Sequence, residues 1–215
     1  MKYRLYLFDF DYTLVNSEKG ILECFHRSLE EMDYPPAGDD VLRGTIGSTI
    51  EDAFRSITGE KDEERIREAV RAYHKVADER MTPGTFFFPE SVEVLRELQR
   101  RGRKTGIVST KRRIRILEKF ERDGIPELVD HVVGVEDVSE AKPSPEGIKK
   151  ALEHFGMEPG EALYVGDSPF DAEAAKNAGV DFAGVTTGTT SRETLLEYPH
   201  VRIMERIGEV LDINP

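Results

Sequence analysis

Short apolar runs alternate along this chain with stretches whose apolar positions recur every three or four residues. The runs Tyr3–Phe10, Lys104–Ser109, His131–Val135, Ala162–Val165 and Phe182–Thr186 have strand character. Between the later runs lie Ser91–Arg101, Arg112–Arg122, Glu146–Phe155 and Asp171–Ala178, which read as helices. Strands separated by such helices predict a parallel sheet with right-handed crossovers, an α/β fold with a Rossmann-like core.

The region after the first strand breaks this alternation. "EKGILECFHRSLEEM" (18–32) sets Ile21, Leu22, Phe25, Leu29 and Met32 at the spacing of one helical face. "IEDAFRSI" (50–57) and "DEERIREAVRAYHKVADERM" (62–81) are again helical, with no convincing strand between them. The pattern predicts an all-helical domain over 17–82, inserted into an α/β core formed by 1–16 and 83–215. The joints are Tyr12–Ser17 and "TPGTFFFPE" (82–90), where Gly84 and two prolines redirect the backbone. Phe86–Phe88 are expected to pack beneath the second joint.

With 215 residues, 33% of them charged and 38% hydrophobic, the chain is long enough for one α/β domain carrying such an insertion. No apolar run approaches the roughly 20 residues that span a bilayer, so no membrane partner is expected. The opening Met-Lys-Tyr-Arg-Leu runs directly into a strand, from which no signal peptide is expected. A single cysteine, Cys24, excludes an internal disulfide and a cysteine-rich zinc site, and is consistent with a cytoplasmic location. The net charge of −12 argues against sequence-independent nucleic-acid binding. Two basic runs, "QRRGRK" (99–104) and "TKRRIR" (110–115), read as solvated helix ends. The five histidines show no metal-ligand spacing. Nothing in the pattern separates a monomer from a homodimer.

In an open parallel sheet, ligands bind beyond the carboxyl ends of the strands, so the residues just after each strand carry the chemistry. After the first stand Asp9 and Asp11, on the same side of an extended chain. Two anions crowded together are costly unless a cation or a shared proton relieves them. After the second stand Ser109 and Thr110, placed either to cap the next helix or to hold phosphate oxygens with its N-terminal amides. Lys142 lies in "EAKPSPEG", after the third. "VGDSPFDAEAAKNAG" (165–179) contains Asp167 and Asp171; Ser168, Pro169 and Asp171 have the spacing of a capping box, which accounts for Ser168 and leaves Asp167 over.

Together these stations suit phosphoryl transfer through an aspartyl phosphate. A carboxylate serves as nucleophile, Mg2+ and a lysine screen its repulsion from an anionic substrate, hydroxyls hold the phosphate, and a second carboxylate moves the proton.

"DFDYTLVNS" resembles the first motif of the haloacid dehalogenase superfamily, Asp-x-Asp-Gly-Thr after an apolar strand. "GIVST", "AKPSP" and "GDSPFDAEAAKNAG" resemble its second, third and fourth motifs, in order across the whole chain, with the helical insert where the family's small cap domain belongs. The phosphoglycolate phosphatase-like proteins are the most similar subgroup. The resemblance implies a Mg2+-dependent phosphatase acting on a small phosphorylated metabolite: a phosphoglycolate-like or sugar phosphate monoester, or pyrophosphate. It implies Asp9 as nucleophile and metal ligand, and Asp11 as general acid/base offering its backbone carbonyl to the metal. It further implies Ser109, with Thr110, as phosphate binder, Lys142 as charge neutraliser, Asp167 as metal ligand, and Asp171 as partner of a metal-bound water or of Lys142.

Two positions depart from the family pattern: Tyr12 stands where glycine is usual, and Asn16 where aspartate is frequent. Glycine tolerates positive φ and tyrosine does not, so Tyr12 implies a different hinge geometry or a ring packed against the cap. Dehalogenases of the superfamily lack an acid at the position of Asp11, and phosphomutases of the β-phosphoglucomutase type carry a histidine where this chain has Ile21. The alternatives to a phosphatase are such a mutase and a non-catalytic binding protein on the same fold. "LRGTIGST" (42–49) is the candidate specificity loop, with Arg43 either reaching a substrate anion or lying exposed in a glycine-rich connection.

Overall fold

The computed structural model describes residues 3–213. They form two compact units, one comprising the chain up to Val15 together with Phe87 onward, the other Asn16–Phe86.

Among the described residues, the first unit holds a six-stranded parallel sheet: β1 (Leu5–Phe8), β2 (Lys104–Val108), β3 (His131–Val133), β4 (Ala162–Gly166), β5 (Asp181–Val185) and β6 (Arg202–Met204). The spatial order is β3-β2-β1-β4-β5-β6, with β1 in the interior between β2 and β4. Successive residues of β1 feed opposite faces: Tyr6 and Phe8 join one apolar cluster, Leu5 and Leu7 the other. Burial on both faces explains why the strand is apolar throughout instead of alternating.

β1 is shorter than its apolar run because Phe10 turns away: its carbonyl accepts from the amides of Leu14 and Val15. Tyr12, inside this turn, has φ +59°, so it holds the left-handed backbone that glycine would supply. The departure from the family pattern therefore leaves the turn conformation in place, at about 1–2 kcal/mol of local strain. β6, flanked by charged and polar residues, carried too short an apolar run to register as a strand.

In the second unit, α1 (Glu18–Glu31), α2 (Asp39–Arg43), α3 (Ile50–Thr58) and α4 (Glu63–Arg80) pack around Phe25, Phe54 and Tyr73, whose rings meet at 4.8–6.4 Å. Thr49 caps α3, and Asp62 caps α4 by accepting from the amides of Glu64 and Arg65. Cys24 is buried in this core. Phe86 is 57% exposed, against the expected packing, whereas Phe87 belongs to the sheet unit and lies edge-on to Phe120 at 5.1 Å.

The sheet is flanked by α5 (Ser91–Arg100), α6 (Arg113–Arg122), α7 (Glu146–Phe155) and α8 (Pro169–Ala178). His131 and His154 stack face to face at 3.7 Å, a pairing without a sequence signal because it is made between β3 and α7. No helix among the described residues is long and apolar enough to cross a membrane.

Candidate active site

Strand order reverses between β1 and β4, which leaves a crevice at their carboxyl ends, and Asp9 and Asp167 follow these two strands directly. The Asp9 amide donates to Val165 O at 2.8 Å, extending the ladder one residue and fixing where the side chain starts. On the other side of β1, Ser109 follows β2 and its amide donates to Val133 O at 3.0 Å.

α8 begins with a full capping box: the Ser168 hydroxyl accepts from the Asp171 amide, and Asp171 Oδ2 accepts from Ser168 N at 3.0 Å and Ser168 Oγ at 2.6 Å. Gly166 makes room, since a Cβ there would stand 2.4 Å from Asp171 Cβ. Asp171 Oδ1 is also engaged, accepting from Lys142 Nζ at 2.5 Å beside the Tyr164 hydroxyl at 3.1 Å. With both oxygens occupied, Asp171 orients its neighbours and has little capacity left for a cation.

Lys142 is 4% exposed and donates to Asp9 Oδ1 at 2.8 Å, to Asp171 and to the Tyr164 oxygen at 3.2 Å. Ligand oxygens of Asp9, Asp167 and Asp171 lie within 4.8 Å of one another, all on buried residues. One ammonium thus pairs directly with two of the three carboxylates. Burial pushes Asp9 up to about 6 even though Lys142 pulls it back, and burial with the charges of Asp171 and Asp9 raises Asp167 well above the carboxylate range. The same two anions, Asp171 and Asp9, hold Lys142 protonated against its own burial. A second positive charge would relieve the excess, and hard oxygen donors suit a divalent cation held by Asp9 and Asp167.

The other expected residues are placed as follows. Asp11 is on the 10–15 turn, its two oxygens 2.9 and 3.0 Å from Lys111 Nζ. Ser109 is nearly buried and its hydroxyl accepts from Lys111 N at 3.3 Å; Thr110 is half-buried beside it. Neither caps α6, which starts at Arg113, and the Arg113 amide is taken by the Glu136 carboxylate at 3.0 Å. One amide at the α6 N-terminus is therefore already engaged within the protein. Arg43 lies in the helical unit, ion-paired there with Glu18 at 2.9 Å and Asp40 at 2.7 Å.

Four residues escaped sequence reasoning. Tyr164 is fully buried in β4 with its hydroxyl 2.8 Å from Val108 O; a tyrosine amid an apolar strand was the available signal, since its hydroxyl must find partners. Thr13 Oγ1 donates to Asp167 Oδ1 at 3.0 Å. Lys111 was read as part of a solvated run, yet its side chain is 7% exposed. Gly188, after β5, backs onto Asp167 so closely that a Cβ would meet its Oδ2 at 1.9 Å. Gly188→Ala is expected to displace Asp167 and weaken divalent-cation binding by about tenfold or more, checked by calorimetric titration with Mg2+.

An α/β core with a charged, buried crevice of this kind is an enzyme's scaffold. The chain belongs to the haloacid dehalogenase-like hydrolases, whose family profile matches residues 6–185. It is 33% identical over 215 residues to a protein named pyrophosphatase PpaX from Bacillus cereus, covering 99% of this chain and 97% of the relative. The crystal structure of a haloacid dehalogenase-like hydrolase from Bacteroides fragilis superposes with a TM-score of 0.95 at 41% identity, over 97% of this chain and 100% of that one. The crystal structure of a predicted phosphoglycolate phosphatase from Haemophilus somnus shares the fold, with a TM-score of 0.87 at 24% identity over 99% and 98% of the two chains.

Proposed function

We propose that this haloacid dehalogenase-like phosphatase hydrolyses a small phosphorylated metabolite in a Mg2+-dependent, two-step reaction through an aspartyl phosphate on Asp9. The observation that carries the reading is the buried cluster of Asp9, Asp167 and Asp171 around Lys142 at the strand-order reversal. In the first step an Asp9 carboxylate oxygen forms a bond to phosphorus, the bond to the leaving oxygen breaks, and Asp11 gives that oxygen a proton. In the second, Asp11 takes a proton from water as the water oxygen attacks phosphorus, and the bond to Asp9 breaks to release phosphate. Lys142 holds Asp9 in place and offsets charge on the transferring group; Ser109 and Thr110 offer hydroxyls to its oxygens. Asp9, Asp167 and the Asp11 carbonyl would hold Mg2+, which would supply the charge that lets two anions approach.

Similarity to relatives named pyrophosphatases supports pyrophosphate as the first substrate of this reading, with small phosphate monoesters next. Arg43, neutralised by its own helical neighbours, has no part in the proposed chemistry. The test is orthophosphate release from pyrophosphate, phosphoglycolate, hexose phosphates and p-nitrophenyl phosphate, with Mg2+ and with chelator. Turnover that needs the metal and is greatest on pyrophosphate is the expected result. Release unaffected by chelator, or none from any of these compounds, would overturn it.

A further inference from the structure

The reaction as written leaves the cation beside Asp11 without work. Lys111 follows Ser109 and Thr110 on the loop after β2, and its ammonium sits between both oxygens of Asp11, with side-chain exposures of 7% and 12%. A two-point contact fixes the plane of the carboxylate as well as its position, and the Phe10 ring, 6.0 Å away, borders the ammonium. Taking both charges out of water offsets much of what such a pair returns in stability, so a pair this enclosed is weak evidence of a stabilising staple. Backbone bonds of the 10–15 turn involve Tyr12, Leu14 and Val15, and Lys111 reaches the Asp11 side chain from the loop after β2.

We propose that Lys111 is a positioning residue, which aims the Asp11 carboxylate at the leaving oxygen. The inference rests on the reading of Asp11 as general acid/base. It makes a demand that a merely structural lysine does not. In a two-step reaction, kcat/KM reports events up to phosphorylation of Asp9. A p-nitrophenolate departs without a proton, whereas an alkoxide requires one. Misplacing Asp11 therefore penalises alkyl esters selectively.

The experiment compares kcat/KM for p-nitrophenyl phosphate and glycerol 3-phosphate, whose leaving alcohol carries no charge for Lys111 to bind, in wild type, Lys111→Met, Lys111→Arg and Asp11→Asn. Lys111→Met is expected to lower the glycerol phosphate value by about 30-fold and the nitrophenyl value by about threefold or less. Lys111→Arg, which keeps the charge and offers a planar fork to both Asp11 oxygens, is expected to stay within about fivefold on both esters. Thermal unfolding of each variant with Mg2+ separates misfolding from misalignment. Equal losses on both esters, or no loss, in Lys111→Met overturn the inference while a selective Asp11→Asn loss leaves the reading of Asp11 standing. An Asp11→Asn variant without leaving-group selectivity overturns both.

Discussion

Asp9→Asn is expected to abolish turnover, by about 10^4-fold or more, and at the same time to raise the melting temperature of the metal-free protein. The two effects have one origin. Asp9 is buried beside two other carboxylates, and its acid form is favoured up to about pH 6 against an ordinary value of 3.8. A carboxyl whose pKa rises on folding favours the folded state below its unfolded value and withdraws that support as pH climbs through the folded one. The metal-free wild type should therefore gain stability as pH falls from 7 towards 4. Asparagine removes this penalty at neutral pH while still accepting from Lys142. Differential scanning calorimetry at pH 7 and pH 5, with chelator and with Mg2+, checks both halves. The variant should melt higher than wild type in chelator and gain less from Mg2+. A lower melting temperature in chelator would contradict the account.

Lys142→Met should be the most destabilising change at the site. It removes the one ammonium that donates to both Asp9 and Asp171, and methionine occupies nearly the same volume, so the damage is electrostatic. Removing one partner of a buried ion pair costs about 3–5 kcal/mol, and activity should fall by about 10^3-fold or more. Urea denaturation at pH 7 should show the full deficit. At pH 5 the deficit should shrink, because Asp9 can then neutralise itself by binding a proton. The double variant Lys142→Met with Asp171→Asn should regain much of the stability and none of the turnover. A single variant as stable as wild type at pH 7 would mean that the carboxylates are compensated elsewhere.

What was legible in the chain was local. The periodicities marked the α/β alternation and the helical insert, and the spacing of Ser168, Pro169 and Asp171 marked the capping box of α8. The acids at the ends of β1 and β4 were visible because each interrupts an apolar run. What was not legible depends on pairs far apart in the chain. Lys111 in "TKRRIR" looked solvated until Asp11, from the other side of the helical insert, was found on its ammonium. Glu136, in the loop after β3, accepts from the Arg113 amide at the α6 N-terminus, a partner that the local spacing around Thr110 does not announce. Gly188 matters only through the Asp167 carboxylate that it backs, and no local pattern announces that. Tyr12 shows the converse: its local preference opposes the left-handed turn, and the backbone bonds around it prevail.

β1 is hydrogen-bonded along both edges and covered on both faces. Such a strand opens to solvent only when the whole sheet cooperatively melts, so Asp9 has no private route to disorder. Its geometry should persist through every partial fluctuation that frays loops or outer strands, and the enzyme's working lifetime becomes that of its entire core.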